Sequence, residues 1–131
     1  MTGRKVMLDT NAVLRFIAND GREKSETVSD LISTADCLVS VEVIVEAVYI
    51  LEKQYNHPRR LVAEEIKDFM NIKEGLVSEG KIVRYGCNIY ASTKLDFVDC
   101  LLVGYANVYN SFVFTFDGDL KKQLQSKTYE F

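Results

Sequence analysis

Four carboxylates stand where carboxylates are costly. Asp9 ends the apolar run Val6-Met7-Leu8. Glu46 interrupts Val43-Ile44-Val45 and Ala47-Val48-Tyr49-Ile50-Leu51. Asp99 lies between Phe97-Val98 and Cys100-Leu101-Leu102-Val103, and Asp117 follows Phe112-Val113-Phe114-Thr115-Phe116. An ionised carboxylate taken out of water needs a partner. Acids without a histidine or thiol among them suit a hard cation bound through oxygen, Mg2+ or Mn2+. Such a cation clamps phosphate oxygens and activates water for in-line attack. The chemistry pointed to is hydrolysis of a nucleic-acid backbone.

Each acid also has a local reading. Asp9 suits the start of a helix near Asn11. Glu46 could be an exposed position on a mostly buried helix, and Glu42, one turn earlier, suits the helix dipole. Asp96, one turn before Asp99, is read as that helix's N-cap in preference to a second site acid. Asp117 and Gly118 could be turn chemistry, with Asp119 capping a final helix. All four acids together, each beside a strand end or within an apolar helix face, are less easily explained one by one.

The elements that must position them follow from periodicity. Lys5 to Leu8 reads as a buried strand and Asn11 to Ala18 as a short helix closed by Gly21. Glu23 to Thr34 reads as an amphipathic helix and Cys37 to Val39 as a second strand. Ser40 caps a helix from Val41 to about Gln54. After Pro58, Arg59 to about Glu79 is helical, with a break expected near Gly75. Lys81 to Tyr85 alternates like a strand, and Ser92 to Asn107 is helical. Phe112 to Phe116 is a buried strand, a short helix follows, and Gln125 to Phe131 is a last edge strand. Short apolar strands alternating with helices predict an α/β fold, a three-layer α/β/α sandwich with a short, mainly parallel central sheet. In such sheets ligands sit at the carboxyl ends of strands, where Asp9 and Asp117 fall.

Size and composition set the outer bounds. A chain of 131 residues reads as a single domain, 1–131, long enough for a real core. It has 47% hydrophobic and 27% charged residues, which is ordinary for a globular protein. No apolar run approaches the roughly 20 residues that span a bilayer. The start, Met1-Thr2-Gly3-Arg4-Lys5, leads into strand-like sequence, not a signal-peptide core, so the expected location is cytoplasmic. Cys37, Cys87 and Cys100 are widely spaced and His57 is the single histidine. That pattern fits reduced thiols, with Cys37 and Cys100 as small core residues, and disfavours a zinc site or a Cys–His nucleophile. The net charge of −3 argues against a protein that coats nucleic acid electrostatically. Setting four acids aside as ligands leaves the remainder close to neutral.

Leu8-Asp9-Thr10-Asn11, the Glu46 helix, the stretch from Leu95 to Leu102 and Thr115-Phe116-Asp117-Gly118-Asp119 resemble, in order and spacing, the PIN-domain ribonucleases. Within these the chain looks most like the VapC toxins of toxin–antitoxin pairs. The resemblance implies that Asp9, Glu46, Asp99 and Asp117 form an acidic quartet, both catalytic and metal-holding. It places Thr10, Asn11 and Thr115 beside those acids as orienting groups, with Asp96 and Asp119 in the same surroundings. It further implies Mg2+- or Mn2+-dependent hydrolysis of RNA, a homodimer, and a small antitoxin of the VapB kind that blocks the site. Cys100 stands where family members often carry a small residue. Arg15, one turn after Asn11, is a candidate contact for a phosphate or an antitoxin group. Arg59, Arg60, Lys121 and Lys122 read as solvated faces. Tyr49, Tyr55, Tyr85, Tyr90, Tyr105 and Tyr109 could stack on bases, with packing the expected role for most.

Three rivals set the boundaries of that expectation. A housekeeping RNA-processing or structure-specific nuclease would use the same site; the length, with no appended RNA-binding module, favours the toxin. A phosphatase of the haloacid dehalogenase type also starts with a strand ending in Asp. It needs a second Asp two residues on, where Asn11 stands. A non-catalytic doubly wound interaction or phosphoacceptor domain would need an acid cluster upstream of Asp9, and there is none.

Overall fold

The computed structural model describes residues 4–18 and 22–131. Gly21, expected to close the first helix, lies outside them. Strand β1 (Lys5–Met7) pairs in parallel with β2 (Asp36–Leu38), Val6 opposite Cys37. The Leu8 amide continues the ladder to the Leu38 carbonyl at 3.1 Å. Beyond β2 the chain at Val39 forms a parallel bridge to Val77, held by amides of Val39 and Ser78 at 2.8 and 2.9 Å. A second parallel bridge joins Val113 to Thr128. The fold is thus α/β with a short parallel sheet, most of its mass being helical.

Helices α1 (Thr10–Ile17), α2 (Arg22–Thr34) and α3 (Val41–Lys53) follow the expected bounds closely. Ser40 caps α3 as anticipated, its hydroxyl accepting from the Val43 amide at 3.4 Å. Then α4 (Arg59–Met70) stops earlier than its periodicity suggested. Gly75 takes φ +80°, a left-handed conformation that glycine adopts without strain, and Leu76 to Ser78 run out to meet Val39.

Three expected strands are absent. Lys81 to Tyr85 lies inside α5 (Gly80–Ser92). The buried positions of that helix are Ile82, Val83, Gly86, Cys87 and Tyr90, a helical spacing. Five residues with two adjacent β-branched side chains are too short a window to separate periods of 2 and 3.6. Phe112 to Phe116 is not a buried strand either. Phe112, Phe114 and Phe116 are exposed, and Val113 alone among the apolar residues of that stretch packs on the core. The rings associate with one another instead, Phe114 with Phe116 at 5.2 Å and with Phe131 at 5.4 Å. The next helix, α6 (Phe97–Val108), begins five residues later than expected, because α5 runs on to Ser92 and a turn intervenes. The last helix, α7 (Gly118–Leu124), leads into a single 3-10 turn and the Thr128 bridge, not an edge strand.

One apolar cluster extends from Leu8 to Leu124, with Tyr90, Phe69, Ile32, Ile44, Leu51 and Ile66 among its fully buried members. Burying each such side chain contributes about 1.5–3 kcal/mol. All three cysteines are buried free thiols. Burial pushes the Cys87 thiol up to about 12 and the Cys100 thiol up to about 11. His57 is engaged elsewhere, its Nδ1 2.8 Å from Glu65 Oε1, so no Cys–His nucleophile is assembled. Native protein is therefore expected to leave Cys87 and Cys100 unlabelled by a thiol reagent at pH 8. Both are expected to react in denaturant; fast native labelling at either would contradict their burial. Because both thiols bind their protons more tightly folded than unfolded, their contribution to stability is intact below about pH 8.5, the unfolded thiol value. It declines as the pH rises toward 11 to 12.

Candidate functional site

Asp9 is the N-cap of α1. Its backbone is extended and its Oδ1 accepts from the Ala12 amide at 2.8 Å. That bond satisfies one of the unpaired amides at the helix start. The local reading and the site reading are compatible: one oxygen is fixed by the helix, and Oδ2 has no hydrogen bond among the described residues. Next to it the Thr10 hydroxyl donates to Glu46 Oε1, linking α1 to α3. Asp9, Thr10, Asn11 and Glu46 line an open groove of about 420 Å³ with Leu14 and Ile50 as its apolar wall. Glu46 and Asn11 are exposed, and Arg15 is half-buried in the last turn of α1.

A second set of acids gathers where α6 meets α7. Asp99 is half-buried in the first turn of α6. Burial first, then Asp96, then Asp117, hold its carboxyl above the usual carboxylate range. Asp96 occupies the N-cap position of α6, but its side chain makes no capping hydrogen bond. Its carboxylate is thus left to act on Asp99, which corrects the expectation that Asp96 serves as a cap. Asp117 caps α7: Oδ1 accepts from the Asp119 and Leu120 amides at 2.8 and 3.1 Å. The Asp117 amide in turn donates to Thr115 Oγ1 at 3.0 Å. Asp119, expected to cap this helix, is instead exposed in its first turn.

The two sets flank α3. Glu46 and Ile50 face the first groove, whereas Val45, Val48, Tyr49 and Glu52 face a cavity of about 610 Å³ that Asp96 and Asp99 also line. Among the described residues no three Asp, Glu, His or Cys side chains stand together as a ready set of metal ligands. What the structure brings together is Asp9 with Glu46 around Thr10, and Asp96 with Asp99 and Asp117. None of these five acids forms an ion pair with Lys or Arg among the described residues. Asp99, whose carboxyl is held above its usual range by burial and by Asp96 and Asp117, stands in an oxygen-donor set with the chemistry of a hard-cation site.

One residue near the site was misread from sequence. Arg59, expected on a solvated face, is half-buried and stacks over Tyr90, its Cζ 3.7 Å from the ring centroid. A signal was present: a cation in the first turn of a helix opposes the dipole and needs another reason to be there.

The PIN domain family matches residues 6–123 of the chain. The chain belongs to the PIN domain family. All four acids of the expected quartet fall within the matched span. This PIN domain is similar to a VapC ribonuclease of Aquifex aeolicus (strain VF5), 29% identical over 100 residues that cover 72% of this chain and 73% of that protein. No solved structure matches it. Among the described residues, no helix of this PIN domain is long and apolar enough to cross a membrane.

Proposed function

We propose that this PIN domain is a metal-dependent endoribonuclease, the toxin of a toxin–antitoxin pair, acting in the cytoplasm. Asp9, Glu46, Asp99 and Asp117 are its catalytic acids and hold Mg2+ or Mn2+. The observation that carries the reading is the gathering of Asp96, Asp99 and Asp117 where α6 meets α7, close enough that burial, Asp96 and Asp117 hold the Asp99 carboxyl above its usual range. The similarity to a VapC ribonuclease supports the choice of RNA and of a small VapB-like antitoxin. A homodimer and a phosphate or antitoxin contact at Arg15 belong to the same proposal.

The cation, when bound, supplies positive charge to phosphate oxygens and lowers the pKa of water. The chain's own groups hold the acids that receive it. The Ala12 amide turns Asp9, the Thr10 hydroxyl turns Glu46, and the Asp119 and Leu120 amides turn Asp117, whose own backbone amide is held by Thr115. In each case one carboxylate oxygen is occupied and the other is left for a ligand. Such outer partners orient ligands and strengthen them. Among the described residues Asp99 has no orienting hydrogen bond of this kind; Asp96 and Asp117 place negative charge beside it. No covalent intermediate on Asp9 is part of the scheme, since the attacking group is water.

Purified protein is expected to cut single-stranded RNA internally with Mg2+ or Mn2+, and not in excess chelator. Fragments that persist at the same rate in excess EDTA would contradict the assignment.

A further inference from the structure

The end of α5 and the start of α6 are joined by a turn, Thr93 to Asp96, that delivers Asp96 and Asp99. Helix α5 ends with carbonyls that have no helical donor. Arg59, the first residue of α4, supplies one: its Nε donates to the Tyr90 carbonyl at 3.1 Å. Its Nη2 donates to the Leu95 carbonyl, the residue immediately before Asp96. The same carbonyl lies 3.8 Å from Cys100 Sγ, and the Cys100 amide makes the first turn of α6 by donating to the Asp96 carbonyl at 3.0 Å. One guanidinium thus spans the last turn of α5 and the entry to α6.

Arg59 is itself held. Its Nη1 lies 3.6 Å from Glu52 Oε1, and the Tyr90 hydroxyl donates to the same carboxylate oxygen. Stacking over the Tyr90 ring keeps the guanidinium plane in place. Tyr90 is buried and packs edge-on against Phe97, the first residue of α6, with ring centroids 5.5 Å apart. Glu52 stands six residues after Glu46 on α3. The Glu52, Arg59 and Tyr90 cluster therefore connects the helix that carries Glu46 to the turn that carries Asp96 and leads into the first turn of α6, where Asp99 stands.

Resting on the function proposed above, we infer that Arg59, anchored by Glu52 and Tyr90, is a positioning residue that sets the α6 acids for cation binding. The planar fork is what the role needs, because two carbonyls and a ring are engaged at once. A lysine offers a point charge and cannot reproduce that geometry.

The test is a Mn2+ titration of the full chain, reading free Mn2+ by its electron paramagnetic resonance signal, with thermal midpoints and RNA KM measured alongside. Arg59→Met is expected to weaken Mn2+ binding by about 10-fold or more, the range for loss of an outer orienting group, with RNA KM little changed. Arg59→Lys is expected to recover only part of the loss. Tyr90→Phe, which keeps the ring and removes the hydroxyl, is expected to shift binding in the same direction by less. A folded Arg59→Met that binds Mn2+ like the wild type overturns the inference, even if its midpoint falls, since that is a purely structural role. If Arg59→Met does not fold, unchanged Mn2+ binding in both Tyr90→Phe and Glu52→Gln overturns it instead. A wild type that binds Mn2+ and cuts RNA alongside unaffected variants defeats this inference alone. A wild type that does neither defeats the proposed function and this inference with it.

Discussion

Asp99→Asn is expected to reduce metal-dependent RNA cleavage by more than about 100-fold while leaving the fold intact. Removing an outer partner of a metal ligand already costs about 10- to 100-fold, so removing a ligand charge costs more. The substitution is nearly isosteric and deletes no hydrogen bond that builds the structure. It also relieves repulsion from Asp96, one turn before it, an effect of about 0.2–0.5 kcal/mol for like charges at that spacing. The thermal midpoint of the metal-free variant is therefore expected to stay level or rise slightly. Asp9→Asn is expected to behave alike, for a separate reason. Asn serves as an N-cap as well as Asp does, so the bond to the Ala12 amide survives while the charge is lost. Initial rates on one RNA at fixed Mg2+, read beside thermal midpoints, check both. Rates within about 10-fold of wild type would remove Asp99 or Asp9 from the catalytic set.

Gly104→Ala is expected to be the most informative destabilising change. A Cβ at Gly104 of α6 would stand 2.9 Å from the Ile82 carbonyl oxygen of α5. That neighbour is backbone, so relief requires α5 and α6 to separate. Alanine gains about 1 kcal/mol in helix propensity over glycine, but overpacking of this kind costs about 1–3 kcal/mol. A rigid carbonyl at that distance places the cost at the upper end, so the clash wins and a net loss of about 1–2 kcal/mol is expected. At this chain length that lowers the midpoint by several degrees. Gly118→Ala is the control: nothing lies within 4 Å of its added Cβ and its φ is not positive, so its midpoint is expected to hold or rise. If Gly104→Ala is as stable as wild type, α5 and α6 do not pack as closely as described.

The candidate acids draw attention in the sequence for a simple reason. Glu46 interrupts an apolar helix, and Asp9 and Asp117 each follow an apolar run, so they stand out in the sequence; in the fold all three are exposed and Asp99 alone of the four is half-buried, so the cost of burial expected from sequence does not fall on them. Their hydrogen bonds were not legible. Whether Asp96 or Asp117 caps a helix depends on where the preceding turn ends, and single-residue shifts decide it. The helices α1, α2 and α3 could be read because each has a long apolar stripe or a clear cap. The α5 segment could not, because Ile82-Val83 looks the same in a strand and in a buried helix. Phe112 to Phe116 misled in the opposite way. Three phenylalanines at alternate positions read as a buried face, whereas all three are exposed and Phe114 packs on Phe116 and Phe131. Arg59 was hidden because its partners, Glu52, Tyr90 and Leu95, come from three other segments.

The central claim is that the acids of α1, α3, α6 and the α7 cap hold a divalent cation. It is tested most directly by measuring Mn2+ binding to wild type, Asp9→Asn, Glu46→Gln, Asp99→Asn and Asp117→Asn in the absence of RNA. The account predicts saturable binding by the wild type and at least about 10-fold weaker binding by each variant. Wild-type protein that binds no Mn2+, or four variants that bind it as the wild type does, would contradict it.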